Sequence, residues 1–298
     1  MSKAMVAAAH ANPSYQELAR RHGLRSTSVL PSLPAYIRQV WANRHFVAAY
    51  ATAKVSSALG NTRLGTYWQV LTPLLNAAVY YVIFGVILDT KGGVQNFIAY
   101  LCCGVFVFGF TQSAVQGGVT AISGNLGMIR ALHFPRAGLP LAVVMAEVRN
   151  LIASMTVLIA IVLLTGEPVN RQWSLLLPAL LLQSVFNAGL AMFVARLGST
   201  LTDIKQLIPF VMRIWLYLSA VLYPVTRFTE QVHGWQLRLI EANPLLVFIE
   251  LTRHALLEDV TLAGPPRLLW FEAVCWTAIV GLGGFIYFWR GENTYGRG

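Results

Sequence analysis

Charged side chains stand inside three of the long apolar runs of this sequence, and that of Glu272 lies near the outer end of its run and is expected to be solvated. Glu147 and Arg149 lie in one run, and Arg213 lies in another. A charge in hydrocarbon costs about 3 kcal/mol on insertion scales unless it is paired or hydrated. Counted from Leu139 and Leu207, where the runs begin, Glu147 and Arg213 differ in depth by roughly 3 Å. We therefore expect an ion pair between Glu147 and Arg213, with or without a role in substrate handling, and expect Arg149 to face a polar route.

A second candidate is the segment 125–136, which separates two apolar runs. It mixes apolar residues with Arg130, His133 and Arg136 and contains Pro135 near its end. An apolar side for a groove and a polar rim are what a docking helix needs. An ordinary basic loop has the same composition, so both interpretations stay open.

Aromatic residues are dense in three of the apolar runs. Rings with polar tips stack against sugars, and they also form the belts found at membrane interfaces. Belts explain rings near the ends of a run, such as Tyr67 and Trp68. They explain less well the deeper rings of Tyr80, Tyr81 and Trp215.

No catalytic or nucleotide-binding motif accompanies these groups. The sequence lacks a P-loop, a His-Glu-x-x-His pair and a Gly-x-Ser-x-Gly elbow. The six histidines lie outside the apolar runs, and the three cysteines lie within them without metal-ligand spacing. We expect a chain that is not an enzyme, holds no metal or cofactor, and uses its cysteines as small buried apolar residues.

The elements that carry these residues are membrane helices. Of the 298 residues, 56% are hydrophobic and 11% charged, against about 25% charged in soluble domains. The mean hydropathy is +0.59. The pattern predicts an all-α integral membrane protein, since each run reaches roughly the 20 residues that a bilayer core requires. The six predicted spans are Thr66–Leu88, Phe97–Ile122, Leu139–Leu164, Trp173–Ala195, Leu207–Val225 and Leu268–Arg290.

Other segments flank and interrupt the predicted domain of residues 61–290. Residues 1–35 and 291–298 form tails, and 36–60 has the periodicity of an amphipathic helix, which lies in the headgroup layer or packs on a soluble partner. Residues 226–258 contain two short outer helices, broken at Asn243-Pro244.

The distribution of positive charge predicts the orientation. Of 22 Lys and Arg residues, 14 fall in segments on the side of the N-terminus and 6 on the other side. The positive-inside rule then puts both termini in the cytoplasm. The basic residues behind the net charge of +10 are explained by this orientation, so we expect no nucleic-acid partner.

Several stretches together resemble one known family. These are 63–75, 125–140, 202–209, 222–224 and 243–245, which read RLGTYWQVLTPLL, NLGMIRALHFPRAGLP, TDIKQLIP, LYP and NPL. They resemble permease subunits of ABC-2-type polysaccharide exporters, of the Wzm or teichoic-acid-translocase kind. The similarity runs from about Tyr36 to the C-terminus, and it is strongest to actinobacterial permeases that export lipid-linked galactan. The tail before Tyr36 has no counterpart in that pattern.

The resemblance implies a type V exporter in the bacterial plasma membrane. Two copies of a six-span chain would pair with two copies of a separate ATPase, which binds ATP and Mg²⁺. The cargo would be a polyprenyl-diphosphate-linked glycan, and the outer helices 226–258 would form a gate. The resemblance further implies that six residues couple to the ATPase: Asn125, Met128, Arg130, His133, Phe134 and Arg136. It makes six aromatic residues candidates for the channel lining: Tyr80, Tyr81, Phe84, Phe106, Phe110 and Trp215. Arg149, which we expect to face a polar route because it is a charge within a span, is a seventh candidate.

Two further expectations complete this interpretation. A basic inner rim would attract the diphosphate, and it consists of Arg38, Arg44, Lys54 and Arg63. The alternatives are an ABC-2 permease for drugs or lipids and a membrane-embedded transferase acting on polyprenyl lipids. The transferase would need paired acidic residues or a histidine at a membrane face, and the sequence shows no convincing pair.

Overall fold

All regular structure in the described part of the chain is helical, as predicted. The computed structural model describes residues 30–59, 65, 67–88, 94–225, 234–235, 240–258 and 260–295. In chain order the helices are α1 (Leu33–Ala42), α2 (Arg44–Leu59), α3 (Tyr67–Tyr80), α4 (Phe97–Val119), α5 (Leu126–Ala131), α6 (Gly138–Leu164), α7 (Leu176–Thr200), α8 (Ile204–Leu218), α9 (Pro244–Leu256) and α10 (Pro266–Arg290). A π-helical stretch, Tyr81–Ile87, continues α3, and 3-10 turns at Ser123–Asn125 and Arg171–Leu175 precede α5 and α7.

Five helical segments in the described residues are long and apolar enough to cross a bilayer. They are Val70–Ile87, Phe97–Val119, Gly138–Leu164, Arg171–Thr200 and Pro266–Arg290. They coincide with five of the six predicted spans, so the membrane class is confirmed.

The remaining predicted span, Leu207–Val225, is not one continuous helix. Helix α8 ends at Leu218 after 15 residues, which is roughly 22 Å of helix. Ala220 then adopts a left-handed conformation with φ of 47°. The chain continues without helix to Val225, and Ala220, Val221 and Val225 are buried in the protein. Irregular backbone at membrane depth is tolerated when protein covers it, so the prediction of helix in the outer third of this span is wrong.

Helix α4 forms the centre of the bundle. It is apolar around its whole circumference, which is typical of a helix with neighbours on every side. Its residues pack against α3, α6, α7, α8 and α9. Cys102 and Cys103 are buried in it among apolar side chains.

Helices α7 and α10 approach each other closely because glycines line their crossing. A Cβ on Gly189 would lie 2.2 Å from the carbonyl oxygen of Val280, and one on Gly284 would lie 2.0 Å from the carbonyl oxygen of Gly189. Small residues permit such backbone contact in membrane helices, where van der Waals packing drives association.

The predicted amphipathic segment consists of two helices, α1 and α2, which meet at Asn43. Asn43 directly follows the last residue of α1, and its side chain donates to the carbonyl oxygen of Gln39 at 2.8 Å. On α2, Val47 and Ala51 are buried against α6, whereas Trp41 of α1 is 69% exposed. One face of this segment therefore belongs to the protein core, and the other carries exposed apolar and basic residues.

Candidate functional site

Residues 125–136, the predicted coupling segment, form a compact turn between α4 and α6. The Asn125 Oδ1 atom accepts a hydrogen bond from the Tyr50 hydroxyl at 2.6 Å, and its Nδ2 donates to the carbonyl oxygen of Ala121 at 2.8 Å. Met128 and Phe134 pack against the buried cluster beneath the turn. These contacts fix the segment to α2 and to the end of α4.

Other side chains of the same turn face outwards. Arg130, Leu132 and His133 are exposed, and Leu132 is 53% exposed. They border a cleft of about 720 Å³ that also includes Gln39 of α1 and Asn293. An apolar residue flanked by two basic ones is thus exposed at this cleft.

A buried latch joins this turn to both ends of the described chain. The Tyr36 hydroxyl of α1 donates to Glu292 Oε2 at 2.6 Å and accepts from the backbone N–H of Ala137 at 3.1 Å. The backbone N–H of Arg136 donates to Glu292 Oε1 at 3.0 Å, and the Arg136 guanidinium donates to the carbonyl oxygen of Glu292. We call Tyr36, Arg136 and Glu292 the latch.

Burial dominates the protonation behaviour of the latch. Loss of hydration raises the pKa of Glu292 above its ordinary value of 4.5, although the bonds from Arg136 and Tyr36 oppose the shift. Burial and the neighbouring carboxylate also raise the pKa of Tyr36 far above its ordinary value. The Tyr36 hydroxyl therefore stays protonated and remains a donor.

A second cavity, of about 390 Å³, lies between α2, α3, α4 and α6. We call it the inner cavity. Lys54 of α2 and Glu147 of α6 both line it, and the carboxylate Oε2 of Glu147 accepts a hydrogen bond from Asn150 at 3.0 Å. Burial lowers the pKa of Lys54, and the nearby charge of Glu147 counteracts that shift.

The expected pairing of Glu147 with Arg213 does not occur in this chain. Arg213 is exposed on α8, whereas Glu147 faces the inner cavity, and the only ion pair within 4.0 Å among the described residues joins Arg253 to Glu250. Equal depth in two helices does not make them neighbours, and α8 packs against α4 and α7 instead of α6. Arg149 donates to the Thr52 hydroxyl at 2.6 Å and so ties α6 to α2.

The aromatic candidates separate into three places. Phe106 and Phe110 line the inner cavity. Tyr80, Tyr81 and Phe84 lie half-buried at the π-helical stretch that continues α3, and such stretches occur frequently at functional sites.

Trp215 has a different environment. Its indole Nε1 donates to Asn243 Oδ1 at 2.8 Å. The same oxygen accepts from the backbone N–H of Leu245 at the start of α9. Trp215 therefore connects α8 to the beginning of α9.

The predicted basic rim is only partly one surface. Arg38 and Arg44 are exposed on α1 and α2, and the Arg44 guanidinium lies 5.5 Å from the ring centre of Trp41. Lys54 instead turns into the inner cavity. Arg63 lies outside the described residues, as does most of the first outer helix.

Two fully buried charges, Arg253 and Glu250, were not among the residues predicted to form a site. Arg253 of α9 is fully buried, and its guanidinium donates to Glu250 at 2.9 Å. It also donates to the carbonyl oxygens of Ala220 and Val221 at 3.0 and 3.2 Å and lies 3.4 Å from the ring centre of Tyr100. We call Arg253, Glu250 and Tyr100 the outer knot. The i, i+3 spacing of Glu250 and Arg253 on an apolar helix was the signal that could have revealed it.

These observations define an all-α, multi-pass membrane protein with polar cavities among its helices. The model of the ABC-2 type transporter family matches residues 47–257. The chain belongs to this family, and the match extends from α2 to the residue after α9.

The chain is also similar to several curated proteins. It is 22% identical over 210 residues to the O-antigen export system permease protein RfbA of Myxococcus xanthus, covering 70% of this chain and 79% of that protein. A protein of the same name from Klebsiella pneumoniae is 24% identical over 223 residues, with 74% and 83% covered. Another from the same organism is 25% identical over 197 residues, with 66% and 74% covered.

Proposed function

We propose that this chain is the permease subunit of an ABC exporter that moves a polysaccharide across the bacterial plasma membrane. The observation that carries this proposal is membership of the ABC-2 family together with similarity to permeases named for O-antigen export. The attachment of the glycan to a polyprenyl diphosphate, and its galactan-like character, are proposed from the sequence resemblance. The chain is a transport subunit, and a separate ATPase binds ATP and Mg²⁺.

The working assembly is a pair of permease chains with two ATPase subunits, and both termini lie in the cytoplasm. Large apolar side chains on α3 and α8 support the pairing, because they give a second copy a surface to pack against. Those more than 40% exposed are Tyr67, Val70, Leu74, Leu75 and Val79 on α3, and Leu207, Phe210, Val211, Ile214, Tyr217 and Leu218 on α8. The half-buried rings of Tyr80, Tyr81 and Phe84 lie at the end of α3 and supply aromatic faces for a glycan path.

The turn at 125–136 is the proposed docking site for the ATPase. Its exposed Arg130, Leu132 and His133 would contact the partner, whereas Asn125 and Phe134 anchor the turn to the bundle. Through the latch, displacement of the turn reaches α1 and the end of α10. Two alternative packings of these elements would then alternate during the transport cycle.

The basic residues Arg38 and Arg44 act in this proposal at the entrance. They are exposed on the helices that precede the first span. A positive surface raises the local concentration of an anionic substrate, so these residues concentrate the diphosphate near the membrane. Reversal of both charges should lower the stimulation of ATPase activity by lipid-linked glycan.

Reconstitution tests the proposal directly. The permease is placed in liposomes with and without a candidate ATPase partner, and movement of a lipid-linked glycan is followed with an external glycosidase. We expect movement only with the ATPase and ATP. Movement without the ATPase, or covalent turnover of the lipid, would refute the proposal. Stimulation by drugs or phospholipids but not by glycan would favour the alternative cargo.

Docking has its own matched variants. His133→Glu replaces an exposed basic side chain of the turn with an acidic one and leaves the latch residues unchanged. We expect it to weaken co-purification of the ATPase by at least about tenfold, because central interface residues often contribute that much. Arg171→Glu is the control, since this exposed residue precedes α7 on the other side of the bundle. Equal loss in both variants would contradict docking at the turn.

A further inference from the structure

The inner cavity holds two opposite charges that do not meet. Lys54 of α2 and Glu147 of α6 line it, yet no ion pair within 4.0 Å joins them among the described residues. A Cβ on Gly117 would lie 3.8 Å from the Lys54 nitrogen, so this ammonium group reaches across to α4. The separation leaves room for a ligand between the charges.

The depth of the cavity makes these charges costly. Glu147 lies nine residues past Gly138, the first residue of α6, which places it roughly 14 Å along that helix. Ionisable groups at such depth in a membrane protein face water-filled cavities, partners or substrate. Asn150 holds Oε2 of Glu147 at 3.0 Å, and the described residues place no hydrogen-bond donor on Oε1.

The rest of the lining suits a sugar. The lining contains side-chain amides, hydroxyls and aromatic rings, a combination that binds the hydroxyls and the C–H faces of a pyranose ring. The cavity volume of about 390 Å³ falls within the range of small-molecule sites, about 300–1,000 Å³. The polar residues are Thr72, Asn76, Ser113, Asn150 and Ser154, and the aromatic ones are Trp68, Phe106 and Phe110.

We propose that the inner cavity binds the first sugar of a lipid-linked glycan together with the phosphate that carries it. Lys54 binds a phosphate oxygen, and Glu147, oriented by Asn150, accepts hydrogen bonds from sugar hydroxyls. The identity of the ligand rests on the proposed function. A phosphatidylethanolamine headgroup also carries both charges, but it lacks a ring to use the aromatic faces and the additional amides.

The test measures binding to the full-length permease in detergent micelles by native mass spectrometry or thermophoresis. The probes are farnesyl diphosphate bearing one hexose, farnesyl diphosphate alone, free hexose 1-phosphate and short-chain phosphatidylethanolamine. We expect the first probe to bind most tightly. Tighter binding of phosphatidylethanolamine, or equal binding of farnesyl diphosphate with and without the sugar, would overturn the proposal.

Single substitutions assign the two roles. Lys54→Gln and Glu147→Gln should each weaken binding of the sugar-bearing probe by roughly 10- to 100-fold, the range expected for one charge-assisted hydrogen bond. Glu147→Gln should leave farnesyl diphosphate binding unchanged. Lys205→Gln and Glu272→Gln are the matched controls, since Lys205 begins α8 and Glu272 lies on α10. Equal weakening in the controls would contradict the assignment.

A charge exchange separates a ligand site from a structural pair. In the double variant Lys54→Glu/Glu147→Lys the two charges still attract each other, but each meets the wrong part of the ligand. We expect binding weaker than in either single variant. Recovery of wild-type affinity would show that the charges serve only each other.

Trp68→Leu provides a variant whose folding is less at risk, because this side chain is 39% exposed. It should weaken the sugar-bearing probe and leave farnesyl diphosphate unchanged, and equal effects on both would contradict the proposal. None of these measurements needs the ATPase or transport. If glycan export survives the cavity substitutions, this inference alone is refuted. If the probes bind as expected but the protein exports no glycan, the proposed function is refuted.

Discussion

Removal of the Arg253 guanidinium tests how the irregular segment after α8 is held. We consider Arg253→Met, which keeps much of the side-chain volume and removes the charge. The substitution deletes the donors to Glu250 Oε1, to the Ala220 and Val221 carbonyl oxygens, and to the more distant Tyr100 carbonyl oxygen at 3.4 Å. Both Arg253 and Glu250 are fully buried, so water does not replace what is lost.

The magnitude follows from two contributions. Removing one partner of a buried ion pair costs about 3–5 kcal/mol, because the other charge stays buried and unpaired. Each carbonyl left without a donor adds about 1–3 kcal/mol. The sum is comparable with the whole free energy of unfolding of a typical protein, about 5–15 kcal/mol. We therefore expect the segment 219–225 to detach from α4 and α9 before the rest of the bundle unfolds.

Two assays measure this outcome in detergent micelles. Thermal unfolding of the full chain should begin at a lower temperature, and a cysteine introduced at Leu222, which is buried in the wild type, should become reactive to a thiol reagent. Because Cys102 and Cys103 are buried and Cys275 is half-buried, the same labelling of the variant without the new cysteine gives the background. Arg267→Met, at an exposed site that begins α10, should leave both readings unchanged.

A double-mutant cycle with Glu250→Gln supplies the refutation. Each single variant leaves one buried polar group without its partner, whereas the double variant leaves no uncompensated charge. The double variant should therefore be several kcal/mol more stable than the sum of the two single effects. Additive effects, or an Arg253→Met variant within about 0.5 kcal/mol of the wild type, would show that the outer knot does not hold the segment.

Three further predictions concern the packing and the latch. Gly284→Val should abolish the yield of folded protein, because a Cβ there would lie 2.0 Å from a carbonyl oxygen of α7. Gly283→Ala should express normally, since no atom lies within 4 Å of the added Cβ. Equal yields of the two variants by size-exclusion chromatography would contradict this packing. Tyr36→Phe should lower the free energy of unfolding by about 1–3 kcal/mol, because it leaves a buried Glu292 oxygen without its donor. An unchanged thermal unfolding curve would count against the latch. The pKa of Glu292 is raised in the folded chain, so the folded state holds this proton more tightly than the unfolded state does. The contribution of Glu292 to stability is therefore most favourable below pH 4.5 and declines as the pH rises through the folded pKa. The difference in stability between the wild type and Glu292→Gln should follow this pH dependence, and a constant difference would contradict it.

Parts of the fold that depend on neighbouring residues in sequence were predictable. The apolar runs identified the five span-capable helices of the described residues, because membrane insertion depends on the summed hydrophobicity of about 20 consecutive residues. The break at Asn243-Pro244 was predictable for a similar reason. Asn243 accepts from the backbone N–H of Leu245 at 3.1 Å, and Pro244 begins α9, as the preferences of helix N-termini indicate.

The contacts between distant residues were not predictable in this way. Depth along a helix placed Glu147 and Arg213 at one level, but the packing of α6 against α2 turned Glu147 towards Lys54. Arg253 lies in the segment predicted to form exposed outer helices, yet α9 packs against α4 and buries it completely. In both cases the partner is determined by which helix faces lie together, and hydropathy does not contain that information.

The sequence by itself determined that the chain is a helical membrane protein of the exporter type, because hydrophobicity and motif order are local properties that add along the chain. Only the tertiary structure decided which charges are buried, where the helix of the fifth predicted span ends, and which polar side chains share the inner cavity. The physical reason is that each of these depends on the desolvation of a group and on the partner that compensates it. Both are fixed by long-range packing between residues far apart in the sequence, such as Tyr36 and Glu292, which are separated by 256 positions.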